Sequence, residues 1–330
     1  MKIGFYIKWT KGMFNSKAWN VLGDELYGEA MCRSLSKIDD IEHVELYAPN
    51  FHPNSRLDVM IYLNDTEPCR EWADNHILYM QNAYGKGSDT ALKELRNRNY
   101  DGHAFISKKL LDLHIQDGND GIFLPFGVDT GLFYPREKKA GYCFDVAYVG
   151  SNIKGRERTE KYLLPATQFN FGLYGNWSLP PDSFWQKIMF WRGKKTLKNE
   201  IFQYQKVLAK LSRGKIPQEE VPILYSSAKI NLNFTAEDCV EWDVITLRTL
   251  EVLACRGFLI TDKVSVAEKT MQGCMIFTEG NDDLIEKIEY YLSNEKEREK
   301  ISQYGYEYAI NHASIDSRMS ELFNYLKKII

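Results

Sequence analysis

Between Asp243 and Glu251 the chain reads DVITLRTLE, two carboxylates eight positions apart with Arg248 between them. Carboxylates accept hydrogen bonds from hydroxyls, and a guanidinium grips phosphate oxygens in pairs. A ligand carrying both hydroxyls and a diphosphate, such as a nucleotide sugar, needs both residue types within reach. Eight helical positions span a little over two turns, so Asp243 is expected in a loop with the helix beginning at Val244. Glu251 then lies deeper, on an inward face, with Arg248 one turn before it. A loop leading into a helix also offers unpaired N–H groups to phosphate. The plainer alternative is a surface Arg248–Glu251 ion pair with Asp243 as a cap. Residue types alone do not separate the two.

Four further stretches carry candidates. In YVGSNIKGRER, Gly150 permits close backbone approach and Ser151 can donate, while Lys154, Arg156 and Arg158 are partners for a diphosphate or simply a solvated basic turn. In LYGNW, Gly175, Asn176 and Trp177 suit a nucleobase pocket, with the indole stacking on the base or else filling a core. Near the amino terminus, Gly23 precedes Asp24, which opens a helix as a general base or as a plain N-cap. Gln81 and Asn82 end a strand with side chains suited to sugar hydroxyls.

The elements that must hold these residues follow from pattern. Short apolar runs (KIGFYI, VELYA, DVMIYL, HILYMQ, HAFIS, GIFLPF) alternate with helical segments such as GDELYGEAMCRSLSKI. PFGVDTGLFYPREKKAGY interrupts them and reads as a linker. A second set follows (FDVAYVG, FNFGLYG, KINLNF, GFLIT, CMIF), again with helices between, and the chain closes on the amphipathic SRMSELFNYLKKII. Two doubly wound α/β domains facing one another are expected, with ligands beyond the carboxyl ends of their strands.

Composition narrows the class. With 44% hydrophobic and 26% charged residues the 330-residue chain is a folded globular protein with room for two cores. A net charge of −3 gives no global attraction for nucleic acid. Six scattered cysteines and six histidines form no metal-like spacing, and no D-x-D motif occurs. No leader or spanning run is visible, so a cytoplasmic protein is expected. Residues 186–215 are strongly basic, with Glu200 as their one acid. They suit an anionic surface or acceptor, peripheral to a membrane or on nucleic acid, or else a helical pair with solvated lysines.

The strings AKINLN, LRTLEVLACRGFLITD and DDLIEKIEYYLSNEKEREKIS together resemble the carboxyl half of the group 1 glycosyltransferases, and most resemble the branch similar to the spore maturation protein CgeB. The likeness runs upstream through VAYVGSNIKGRER and LYGNW to LPFGVDTGLFYP, covering the chain from about Asp101. It implies the GT-B fold, two Rossmann-like domains with the active site between them. Residues 1–135 would form the acceptor domain and 141–313 the nucleotide-sugar domain, with helix 314–330 packing back on the first. The resemblance implies Glu251 on the donor ribose, Asp243 facing the transferred sugar, and Arg248 with the Gly150–Arg158 turn near the diphosphate. Gly23, Asp24, Gln81 and Asn82 would face acceptor and sugar. It further implies transfer from a nucleotide sugar to an acceptor (glycan, protein, lipid-linked or nucleic acid), no metal or other cofactor, and retention of configuration. A nucleotide-sugar 2-epimerase of the same fold and a non-catalytic sugar-nucleotide or polymer binder are the alternatives. Two departures stand out: Asp243 where many relatives have Glu, and Arg256 in ACRGF where relatives carry glycine.

Overall fold

The computed structural model describes residues 1–12, 23–63, 66–81, 94, 98–179 and 201–330. Its strands fall on the apolar runs. β1 (Lys2–Tyr6), β2 (His43–Tyr47), β3 (Leu57–Leu63), β4 (Ala73–Met80), β5 (Gly102–Phe105) and β6 (Ile122–Phe123) form one sheet in the order β2-β1-β3-β4-β5-β6. A second sheet, β11-β10-β9-β7-β8, joins β7 (Val146–Val149), β8 (Phe171–Tyr174), β9 (Ile230–Asn233), β10 (Leu259–Asp262) and β11 (Ile276–Thr278). Every pairing is parallel. Helices cover both faces of a parallel sheet, so its strands are apolar at consecutive positions. Met60, Ile61, Tyr62 and Leu63 are all fully buried.

The α-helices among the described residues are α1 (Gly23–Leu35), α2 (Lys108–Gln116), α3 (Arg156–Tyr162), α4 (Gln203–Leu211), α5 (Val221–Ser227) and α6 (Glu237–Glu241). They continue with α7 (Leu247–Ala254), α8 (Ser265–Thr270), α9 (Asn281–Ser293), α10 (Glu295–His312) and α11 (Ile315–Ile329). None is long and apolar enough to cross a membrane. In each sheet the strand order reverses beside the first strand, between β1 and β3 and between β7 and β9. Such reversals leave a crevice at the strands' carboxyl ends, because the helices on either side depart to opposite faces.

Three local features differ from expectation. α7 begins at Leu247 rather than Val244, since Val244 is buried in the core of the first half of the chain and Thr246 precedes the helix in extended conformation. The residues before it fold into the short α6, and Asp243 turns the chain at φ 56°. The linker is not a loose tether. Val128 and Phe133 are buried, the Val128 N–H donates to the Ala313 carbonyl at 2.8 Å, and the Ile315 N–H donates to the Val128 carbonyl at 2.9 Å. Past that crossing, α11 lays Met319, Leu322, Phe323 and Leu326 into the core shared with α1 and the first sheet.

Candidate functional site

A cavity of about 1000 Å³ opens where the two sheets' carboxyl ends face each other. Glu25, Glu29, Asn50 and Phe51 line it from the first half, and Gly150, Ser151, Gly175, Lys215, Arg248 and Glu251 from the second. α7 sends both of its charged residues there because Leu250, Val252, Leu253 and Ala254 are consumed by the core. Arg248 donates from Nη1 to Asn233 Oδ1 at 3.0 Å and lies 5.0 Å over the Tyr148 ring. Burial opposes its charge, but Tyr148, Tyr225 and Glu251 outweigh that and hold its pKa above the ordinary value. Among the described ion pairs none joins Arg248 to Glu251, so the surface-pair alternative is not what forms. Burial pushes the Glu251 carboxyl up to about 7, against the opposing pull of Arg248. The site therefore holds a charged guanidinium beside a carboxyl poised to titrate near neutrality.

The two glycine turns meet backbone to backbone. Gly175 has φ +131°, and a Cβ there would lie 2.2 Å from the Gly150 carbonyl oxygen, so only glycine fits. The Gly150 N–H donates to the Tyr174 carbonyl at 2.8 Å, and the Asn176 N–H donates to Ser151 Oγ at 3.2 Å. A Cβ at Gly150 would meet Tyr148 Oη at 2.7 Å and Arg248 Nη2 at 2.9 Å, which is why the guanidinium can sit against this turn. Among the described residues the buried Tyr148 hydroxyl has no hydrogen-bond partner. The arrangement can bind an anion at the turn and hydroxyls at Glu251.

A model of the glycosyl transferase-like family matches residues 156–324, just over half of the chain. The chain belongs to the glycosyl transferase-like family. No curated protein matches it in sequence. Among solved structures, sucrose-phosphate synthase from Thermosynechococcus elongatus superposes at TM-score 0.67 and 13% identity over 100% of both chains. HepE from Anabaena, solved with UDP and glucose, gives 0.65 at 11% identity over 99% of this chain and 100% of its own. T4 phage BGT with its UDP-glucose substrate gives 0.61 at 14% identity over 100% and 99%. At such identity the likeness concerns architecture, and that architecture is GT-B.

Within this glycosyl transferase-like chain several expected site residues stand away from the cavity lining. Trp177 is buried and donates its indole N–H to the Gly150 carbonyl at 2.7 Å, bracing the turn rather than stacking on a ligand. The Asn176 side chain accepts from Ser178. Arg156 pairs with Glu160 at 2.9 Å and lies over Phe202. Arg158 binds Glu237 and the buried Asp262. A cation already matched to a buried carboxylate is poorly available to a diphosphate, which applies to Arg158; Arg156, exposed beside Glu160, stands outside the cavity lining. Lys154 donates to the Phe234 carbonyl and lies 4.6 Å over that ring. Burial and then nearby Arg248 push its pKa well below the ordinary value.

Asp243 is displaced most in meaning. Its Oδ1 accepts from the Val266 N–H at 3.2 Å and its Oδ2 meets Lys109 Nζ of α2 at 3.1 Å. Ser107 Oγ and Lys109 Nζ also donate to the Trp242 and Glu241 carbonyls. The segment from α6 to Asp243 thus docks the second half onto the first, and of the pair Asp243 and Glu251 only Glu251 lines the cavity. In the first half Gly23 lines the cavity, whereas Asp24, half-buried in the first turn of α1, does not. Gln81 is buried, its Nε2 without a partner among the described residues, and lies outside the lining; Asn82 lies outside the described residues. Of the basic 186–215 segment, α4 packs Tyr204 and Leu208 into the second core and Lys215 reaches the cavity. Residues 186–200 lie outside the described residues.

Two lining carboxylates of α1 were missed. Glu25, buried, accepts from the Gly12 N–H at 2.7 Å, and Glu29 pairs with Lys11 at 3.0 Å. Their four-residue spacing places both on one face of α1, directly after the Gly23 turn, and that signal was legible. Among the described residues no group of three or more His, Cys, Asp or Glu is placed to hold a metal.

Proposed function

We propose that the chain transfers a sugar from a nucleotide-sugar donor to an acceptor hydroxyl. The observation that carries this is the convergence of Arg248, Glu251 and the Gly150–Ser151 turn on one cavity at the mouths of both sheets. In this reading residues 141–313 bind the donor, and residues 1–135 with helix 314–330 bind the acceptor. Glu251 accepts hydrogen bonds from the ribose hydroxyls. Arg248, with the Ser151 hydroxyl of the adjoining turn, holds the diphosphate and stabilises the charge that develops as the anomeric C–O bond breaks. With a permanent cation placed there the leaving group needs no divalent metal, so transfer is expected to survive EDTA. Loss of activity on chelation and its return with metal would overturn that part. The acceptor oxygen bonds to the anomeric carbon as the diphosphate departs. In a retaining course the departing diphosphate oxygen takes the acceptor's proton, and comparing the anomeric configuration of product and donor by NMR decides it.

Since HepE and T4 BGT were solved with UDP-glucose, that donor is the first to test. UDP binding by calorimetry should be weakened in Glu251→Ala, since loss of a hydrogen bond to a charged group costs about 1.5–3 kcal/mol. An unchanged Kd would remove Glu251 from the site. Placement in the CgeB-like branch rests on the order of the motifs from VAYVGSNIKGRER to the LRTLEVLAC helix. Binding of the 186–215 segment to an anionic surface is a separate proposal, tested by sedimentation with anionic vesicles across a salt series.

A further inference from the structure

We infer that the first-half wall of the cavity is a subsite for a neutral saccharide acceptor, with Phe51 as its apolar platform and Glu29 as a hydroxyl-binding group. The inference rests on the glycosyltransferase reading above and specifies its acceptor. Phe51 sits on a clamped turn after β2. Ala48 and Phe51 exchange both backbone hydrogen bonds at 2.9 Å, and the Asn50 amide clasps Lys11, accepting from its N–H at 2.8 Å and donating to its carbonyl at 3.2 Å. The Phe51 ring stacks on Tyr47 with centroids 5.5 Å apart, and Lys11 Nζ lies 5.1 Å from its centroid. Although so fixed, Phe51 remains 41% exposed at the cavity. An aromatic ring held rigid in a cavity wall, with few polar groups beside it, is the arrangement of a ligand site rather than of a core.

The charges of the described wall favour one class of ligand. The two lining cations among the described residues of this wall are both matched: Lys11 by Glu29 and Glu45 at 3.0 and 3.3 Å, and Arg33 by Asp129 at 2.8 Å. Glu25 adds a further acid. Among the described residues this wall offers no unmatched cation. An acceptor with a phosphate backbone would need several, because its affinity comes from neutralising phosphates. A neutral sugar instead offers a C–H face to Phe51 and hydroxyls to Glu29, whose orientation Lys11 fixes.

Saturation-transfer NMR on the full chain loaded with UDP tests this, with cellobiose, maltose, methyl β-galactoside and N-acetylglucosamine as probes and a short DNA duplex titrated separately by anisotropy. At least one saccharide is expected to bind. Phe51→Ala should weaken it about tenfold or more, as loss of an aromatic anchor does, while Phe51→Tyr should retain it. A protein that binds UDP but none of the saccharides, or whose saccharide binding is indifferent to Phe51→Ala, overturns the inference alone. Saturable duplex binding in place of saccharide binding also overturns it. A protein that binds neither UDP nor saccharide overturns the donor reading beneath it as well.

Discussion

At the scale of single residues, Glu251 makes the sharpest claim. Its folded pKa, raised to about 7 by burial, means that the folded chain holds this proton more tightly than the unfolded chain. The residue's contribution to stability is therefore full below the ordinary carboxyl range and is lost as pH climbs through about 7. Glu251→Gln should flatten that part of the stability–pH curve in urea titrations. Nucleotide binding should run the other way, since the ionised carboxylate is the better hydroxyl acceptor. Affinity for UDP is expected to rise between pH 6 and pH 8, and the Gln variant should show less of this rise by calorimetry, which separates it from ionisation of UDP itself. Asp24, by contrast, lies within the first turn of α1 and does not line the cavity, so Asp24→Asn should keep turnover within a few-fold. A drop of about 10²-fold with donor affinity intact would restore Asp24 as the general base.

At the scale of elements, the close approach of the turns after β7 and β8 and the end of α7 carry the predictions. Gly175→Ala puts a methyl group onto the Gly150 carbonyl and should destabilise by at least about 1–3 kcal/mol from backbone conformation alone, read as a fall in Tm. At the end of α7, the Gly257 N–H reaches the Val252 carbonyl at 3.0 Å and the Arg256 N–H reaches Leu253 at 2.9 Å, with Arg256 at φ 54°. That pairing is a Schellman cap, and its left-handed position suits glycine. Arg256→Gly should thus leave function alone and gain up to about 1 kcal/mol. The departure from the family pattern is a tolerated strain at an exposed cap. The strands were legible because burial on both faces writes itself as an unbroken apolar run, and α1 and α11 because their apolar positions recur on one face. What was not legible is what tertiary neighbours decide. Val244 belongs to the first half's core, so no local pattern could delay α7 to Leu247. Nothing in GSNIKGRER says that Arg158 will meet Asp262, over a hundred positions away.

At the scale of the molecule, the halves touch through α2 and the α6–Asp243 segment, and the main chain passes between them near Val128 and again near Ala313, where the two crossings are hydrogen-bonded. Lys109→Ala removes one tie to Asp243. Because the lysine is half exposed, the loss should be no more than about 1 kcal/mol, seen as faster proteolysis between the halves and not as a lost fold. The paired crossing has a larger consequence for anyone dividing the gene. The polypeptide leaves the first half near Gly127 and comes home to it at Ile315, so the first half is assembled from two distant stretches of sequence. A fragment ending at residue 135 would bare the apolar surface of α1 that α11 covers, and should aggregate when expressed alone. Supplying residues 314–330, fused through a short spacer, should make it soluble.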